Sequence, residues 1–231
     1  MFSFFWNNYF FGQLINKGKI IFERKTNLEK KYTDERSKRW LNDQNKIIID
    51  EFELYFDDTL SVFQPIEDPS KKGMMDWATM KNSHIHHLNS KNRISIYNFW
   101  GESISVNDNC IKRQWKITEN KRKIGKYMCT KAIYHLNDST RFYAWFSEDI
   151  IPTVGPETFN GLPGAILGLA TEDGGVVYFA KKVELIVPDW DKVIPKKGKK
   201  IYTDKEFKNK LIEEFGDKSW GKVILNEVQS W

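Results

Sequence analysis

Three histidines fall in Ser83-His84-Ile85-His86-His87. On an extended backbone His84 and His86 share one face, as paired imidazole ligands to a metal do. No cysteine or carboxylate partner is evident nearby, and the flanking stretch is polar with scattered Pro and Gly. The expectation is therefore a solvated loop with no metal, with His84 and His86 as the metal candidates. His135 stands alone and reads as a strand surface residue. Glu148, Asp149 and Glu157 are close in sequence, and paired carboxylates divide acid and base roles when their environments differ. The plainer reading makes them surface turn residues. The chain has no Gly-x-Ser-x-Gly elbow, phosphate-cradling glycine loop or His-Glu-x-x-His, so no catalytic set is assigned and no cofactor is expected.

Cys110 and Cys129 flank a predicted hairpin turning near Glu119-Asn120-Lys121-Arg122-Lys123. That register sets them nearly opposite each other, which permits a cross-strand disulfide if their Cβ atoms approach to about 3.8 Å. Two buried free thiols are the alternative.

Those residues must be held by a fold, and 231 residues suffice for one domain with a core that needs no disulfide. Aromatic residues make up 15% of the chain and include nine Trp, a large apolar content suited to a core. Lys and Arg total 36 against 31 Asp and Glu, with the signs interspersed. That pattern describes a solvated surface, and no basic stripe or nucleic-acid module accompanies it, so nucleic acid is not an expected partner. Residues 1–13, opening Met1-Phe2-Ser3-Phe4-Phe5-Trp6, form the one strongly apolar segment, too short to span a bilayer as a helix. They read as the remnant of a signal peptide, with an apolar strand or membrane-surface anchor as alternatives. Residues 14–231 then form a single domain.

Strand signals recur along it. Gly18 to Arg24, Lys46 to Phe56 and Leu60 to Phe63 are rich in β-branched and aromatic residues. Asn27 to Lys46 is a polar run expected to form an exposed helix or lid, and Pro65 to Asn92 a long connection with one helical turn. Short strands follow at Arg93 to Phe99, Ser103 to Val106, Ile111 to Thr118, Lys126 to Leu136 and Thr140 to Phe146, the spacing of an antiparallel meander. Ala165 to Thr171 and Val176 to Val187 flank Glu172-Asp173-Gly174-Gly175, a tight hairpin signal. Lys192 to Lys200 is a basic linker, and Thr203-Asp204-Lys205-Glu206 a capping box opening a helix to Phe215. The predicted class is mainly β: an antiparallel sheet curved into a half-barrel or open barrel, with one or two peripheral helices.

Ala144-Trp145-Phe146, the acidic turn to Ile151-Pro152, then Gly155-Pro156 and Gly161-Leu162-Pro163-Gly164 resemble the hallmark of the GLPGLI family, found mainly in the Bacteroidetes. Ala165 stands where the name has Leu. The resemblance continues upstream through Trp115-Lys116-Ile117 and Gly125 to Ala132, and covers residues 18 to 215. It implies an exported envelope protein of the periplasm or outer membrane with a mostly antiparallel β fold, and it carries over no catalytic residues.

Pro163 fixes its own φ and biases Leu162 away from helix, while Gly161 and Gly164 permit positive φ or close backbone approach. The motif thus reads as a rigid folding element. The alternative is a ligand or partner site built from Trp145, Phe159, Gly161, Leu162, Pro163 and Gly164. A curved sheet would offer a concave aromatic face to a lipid, a peptide or a partner segment. The functional expectation is binding or assembly in the envelope, beside an outer-membrane receptor or transporter. An envelope hydrolase using carboxylates near the Gly-Leu-Pro-Gly loop is the alternative.

Overall fold

A computed structural model describes residues 14–67, 76–99, 102–198, 200–217 and 221–231. The apolar leader expected at 1–13 lies outside the described residues, as do Pro69 and Gly73 of the long connection. Twelve strands form one sheet: β1 (Gly18–Asn27), β2 (Ile47–Phe56), β3 (Leu60–Pro65), β4 (Ser83–His87), β5 (Asn92–Phe99), β6 (Glu102–Asn109), β7 (Trp115–Ile124), β8 (Tyr127–His135), β9 (Arg141–Ser147), β10 (Ala165–Thr171), β11 (Val176–Glu184) and β12 (Ile201–Thr203). Their spatial order is β12-β6-β5-β4-β3-β2-β1-β11-β10-β9-β8-β7. Every ladder is antiparallel except the short parallel pairing of β12 with β6.

The sheet is open, and the chain itself shows how strongly it curls. β6 and β7 lie ten places apart in the strand order, a separation of roughly 48 Å in a flat sheet at about 4.8 Å per strand. Only the segment between Asn109 and Trp115 joins them, and it reaches about 20 Å at full extension. The sheet must therefore bend until its two ends approach, giving the open barrel that the alternating pattern predicts. Irregular pairing at Ile21/Phe22, Ile117/Lys121 and Ile166/Gly168 adds local bends.

Alternation decides which side chains face inward. Ile20 and Phe22 of β1, Phe52, Leu54 and Phe56 of β2, and Phe142, Ala144 and Phe146 of β9 are buried in the main core. At about 25 cal/mol per Å² of apolar area removed from water, rings of this size dominate the stabilisation. On the other face, Leu60, Val62, Ile85, Ile94 and Ile96 pack beneath Val193 of the short helix α3 (Trp190–Val193).

The segment after β1 holds two four-residue helices, α1 (Leu28–Lys31) and α2 (Glu35–Lys38), in place of one longer helix. The capping box forms as predicted: Thr203 accepts from the Glu206 N–H at the start of α4 (Asp204–Phe215). Phe207, Leu211 and Phe215 of α4 seat against Tyr97 and Val106, joined by Ile224 and Leu225 of α5 (Gly221–Ser230), a helix the sequence reading does not contain.

Three expectations need correction. Ser83 to His87 is a strand, β4, paired on both sides, in place of the expected loop. The β7–β8 turn lies at Gly125-Lys126 with Gly125 at φ +57°, which sets Cys129 opposite Arg122. Cys110 falls before β7, and both cysteines are free thiols, so the predicted cross-strand disulfide is absent.

Candidate functional site

The inward positions of β1, β2, β4 and β11 are not all apolar, and the exceptions meet. Register sets Arg24 opposite Asp50 on one side and Tyr178 on the other. Arg24 donates to Asp50 Oδ2 from Nη2 at 2.7 Å and Nε at 3.3 Å, and its Nη1 reaches the Tyr178 hydroxyl at 3.3 Å. Thr79 also donates to Asp50, at 3.0 Å, and Lys81 Nζ lies 3.3 Å from its other oxygen. Glu157 enters from the opposite direction, on the loop that precedes Gly161-Leu162-Pro163-Gly164, and is 1% exposed. It accepts from the Tyr178 hydroxyl, faces His84 Nε2 at 2.8 Å and lies 3.6 Å from Arg24 Nη1.

The electrostatics follow from burial and pairing. Arg24 and Lys81 balance Asp50 and Glu157, so the charges of this network sum to zero. Burial raises the Asp50 carboxyl, but Arg24, Lys81 and Thr79 outweigh it and leave the group below its ordinary value. Burial also works against the Arg24 charge, yet Tyr178, Asp50 and Glu157 raise its pKa further. Burial holds His84 below its ordinary value despite Glu157, so its ring is neutral near pH 7. Against a Glu157 carboxylate, His84 Nε2 then carries the proton and Nδ1 accepts from Ser95 at 2.9 Å. Tyr178 is pushed well above its ordinary range by burial and by Glu157.

This network fastens the family-like loop to the sheet. Glu157 adopts φ +54°, a left-handed conformation that costs a non-glycine residue about 1–2 kcal/mol. Pairing deep in the barrel offsets that cost. Phe159, two residues on, packs against Phe142 at 4.9 Å and lies under the Arg113 guanidinium at 3.9 Å. Gly164, at φ +135°, passes so close to Ser147 that an added Cβ would overlap its carbonyl.

The predicted ligand set does not converge. Phe159, Leu162 and Gly164 are buried, while Gly161 and Pro163 are exposed. Trp145 lies on the opposite face of β9, under Arg122 at 4.9 Å. Glu148 faces solvent and Asp149 is partly buried, so Glu157 forms no carboxylate pair with them, and its expected place in a surface turn is overturned. His84 and His86 do share the inner face, with ring centroids 6.4 Å apart, but both His84 nitrogens have partners. Among the described residues no group of three His, Cys, Asp or Glu is disposed to hold a metal ion. Arg24, Asp50 and Tyr178 fall in predicted strands but are not among the predicted site residues, although Arg24 follows Ile20 and Phe22 at the same alternation.

Little open space adjoins these charges. Trp231 packs on Tyr178, Phe142 and Phe159 at 5.1–5.6 Å. Beside Arg24, Glu157 and Tyr178 it leaves a void of about 10 Å³, room for about one water. A shallow cleft of about 220 Å³ lies outside Trp231, edged by Asn27, Lys30, Asp173 and Glu227. Lys31 pairs with Glu227 across it at 2.5 Å. No helix among the described residues is long and apolar enough to cross a membrane.

No protein-family model matches the sequence, and no curated protein does. Two solved structures of PNGF-II, in the P21 and C2 space groups, are similar in fold, each at TM-score 0.58 over 84% of this chain, with 15% and 16% identity. The chain spans about a third of PNGF-II, 32% of its length. An uncharacterized conserved protein from Thermus thermophilus aligns at TM-score 0.41 with 8% identity, over 80% of this chain and 90% of its own. What is shared with PNGF-II is the fold of the sheet.

Proposed function

We propose that this chain is an exported cell-envelope module that binds a protein partner and serves as an accessory subunit of an outer-membrane receptor or transporter complex. One observation carries the reading: the concave face is filled by the chain's own residues. Phe159, Leu162, Phe207, Phe215 and Trp231 occupy the space a lipid or peptide would need, and the buried charges adjoin a void of only about 10 Å³. Ligand pockets span about 300–1,000 Å³. Among the described residues the void beside these charges is far below that size, and Glu157 is buried, which favours neither a carrier nor a carboxylate hydrolase at this place. Recognition is left to the exterior, where a partner would meet the outer face of the sheet and its loops. The Gly-Leu-Pro-Gly resemblance supports the envelope location.

The test is cross-linking of tagged protein in intact cells of its source, followed by purification in detergent and mass spectrometry. The reading expects one stoichiometric envelope protein, cross-linked through outward lysines such as Lys116, Lys131 or Lys181. Recovery of the chain alone, with no cross-linked partner, would overturn it.

A further inference from the structure

A second buried charge cluster, apart from the Glu157 network, is not balanced among the described residues. β5 carries Arg93 opposite His86 of β4 and Asp108 of β6. The connection from β6 to β7, which bridges the two ends of the sheet, brings Arg113 in beside it. Both guanidinium groups are buried, and His86 is 2% exposed. Arg93 has one carboxylate, Asp108, at 3.3 Å and partly open to solvent. Arg113 has none among the described residues: its Nη1 and Nη2 donate to the Thr158 carbonyl and hydroxyl, each at 2.7 Å. Burial, joined by the charge of Arg93, lowers the Arg113 pKa to about 9. Three buried nitrogens, Arg93 Nε, Arg113 Nε and His86 Nε2, have no hydrogen-bond partner among the described residues.

Buried polar groups are almost always satisfied, and a buried cation without a counter-charge is costly. Among the described residues, one carboxylate, Asp108, stands within ion-pair distance of the two guanidinium groups, and the Thr158 hydroxyl that accepts from Arg113 donates in turn to the Trp231 backbone oxygen. Burial and the neighbouring arginines keep His86 neutral, so it adds a polar ring without a further charge. His84, which also faces this cluster, is neutral and committed to Glu157. Glu157 is in turn held by Arg24 and Tyr178, so it does not supply a second carboxylate.

We propose that the crease formed by Arg93, Arg113 and His86 binds a small oxyanion of the phosphate and sulfate class. Planar guanidinium forks suit the tetrahedral oxygens of such an ion, and a neutral imidazole N–H completes the shell. Cys110 adjoins the cluster. It is half-buried, both arginines and Asp108 act on its thiol, and the Cys110 N–H donates to the Lys91 carbonyl at 2.7 Å. The inference does not depend on partner binding.

The experiment is titration of the full chain with inorganic phosphate and with sulfate at constant ionic strength, by calorimetry, with chloride as the control. In parallel, alkylation of Cys110 is followed by peptide mass spectrometry with and without phosphate. Saturable binding of one ion per chain is expected, with a several-fold slowing of Cys110 alkylation. Arg113→Gln and Arg93→Gln should each weaken binding at least tenfold, while Arg122→Gln, on the outer face, should not. If either crease variant fails to fold, Cys110 protection in the unaltered protein decides the matter. Absence of saturable binding, or equal protection by chloride, would overturn the proposal.

Discussion

Replacing Glu157 by Gln keeps the shape of the side chain and removes its charge. The amide still offers one oxygen, so it retains the bond from either Tyr178 or His84, and the contact with the Arg24 charge is lost. Breaking a buried ion pair by removing one partner costs about 3–5 kcal/mol. Arg24 keeps Asp50 at 2.7 Å, which puts the expected loss near the lower limit, about 3 kcal/mol. Glu157→Gly relieves the positive φ, returning roughly 1 kcal/mol, but it also leaves the Tyr178 hydroxyl and His84 Nε2 without an acceptor, so its loss should exceed that of Glu157→Gln. Urea unfolding followed by tryptophan fluorescence reads both, as a fall in midpoint at unchanged slope. A Glu157→Gln loss under about 1 kcal/mol, with the slope unchanged, would refute the idea that this network fastens the loop to the sheet.

Further expectations concern the loop, the titrating groups and the thiols. Gly164→Ala should cost about 3 kcal/mol or more, because positive φ and the Ser147 carbonyl both oppose it. Gly161→Ala, where the nearest atom to a new Cβ is a Trp115 nitrogen at 3.8 Å, should cost only about 1 kcal/mol; equal losses in urea melts would contradict this account of the motif. Asp50 has its folded pKa depressed below 3.8, so its contribution is present above that pH and is lost as pH falls through the folded value. His84 and His86 are likewise depressed below 6.5, so stability should decline as pH falls below 6.5. His86→Gln should flatten that decline in melting curves taken between about pH 7 and 5, and an unchanged slope would exclude His86 as a cause. Without reductant, both cysteines should alkylate in denaturant, and in the native state Cys110 should react before the fully buried Cys129, whose thiol burial pushes up to about 11.

The class of fold was legible because alternation, turn residues and capping chemistry act locally. Phe52, Leu54 and Phe56 alternate inward, and the Glu172 to Gly175 turn and the Thr203 cap form where their residues predict. The β7–β8 register was not legible. Lys121, Arg122 and Lys123 look like turn residues, yet they continue a solvated edge strand, where lysine is a common protective choice. β4 escapes a sequence reading because His84 and His86 are polar, and His84 is tolerated inside only because Ser95 and Glu157, distant in the chain, take its two ring nitrogens. The same holds for Glu157. Its burial depends on Arg24, Tyr178 and His84, which lie 133, 21 and 73 residues away in the chain. Arg24 and Asp50 did carry a local signal, since each occupies an inward position in its strand's alternation. A charge at such a position calls for a buried partner, and each strand supplies the other's.

Native mass spectrometry of the protein released gently from its own envelopes tests the central claim most directly. The account predicts the mass of the chain joined to a second polypeptide, with no lipid or peptide retained on the chain itself. A chain carrying a stoichiometric lipid or peptide and no protein partner would contradict it, because the concave face would then have to open to hold that ligand.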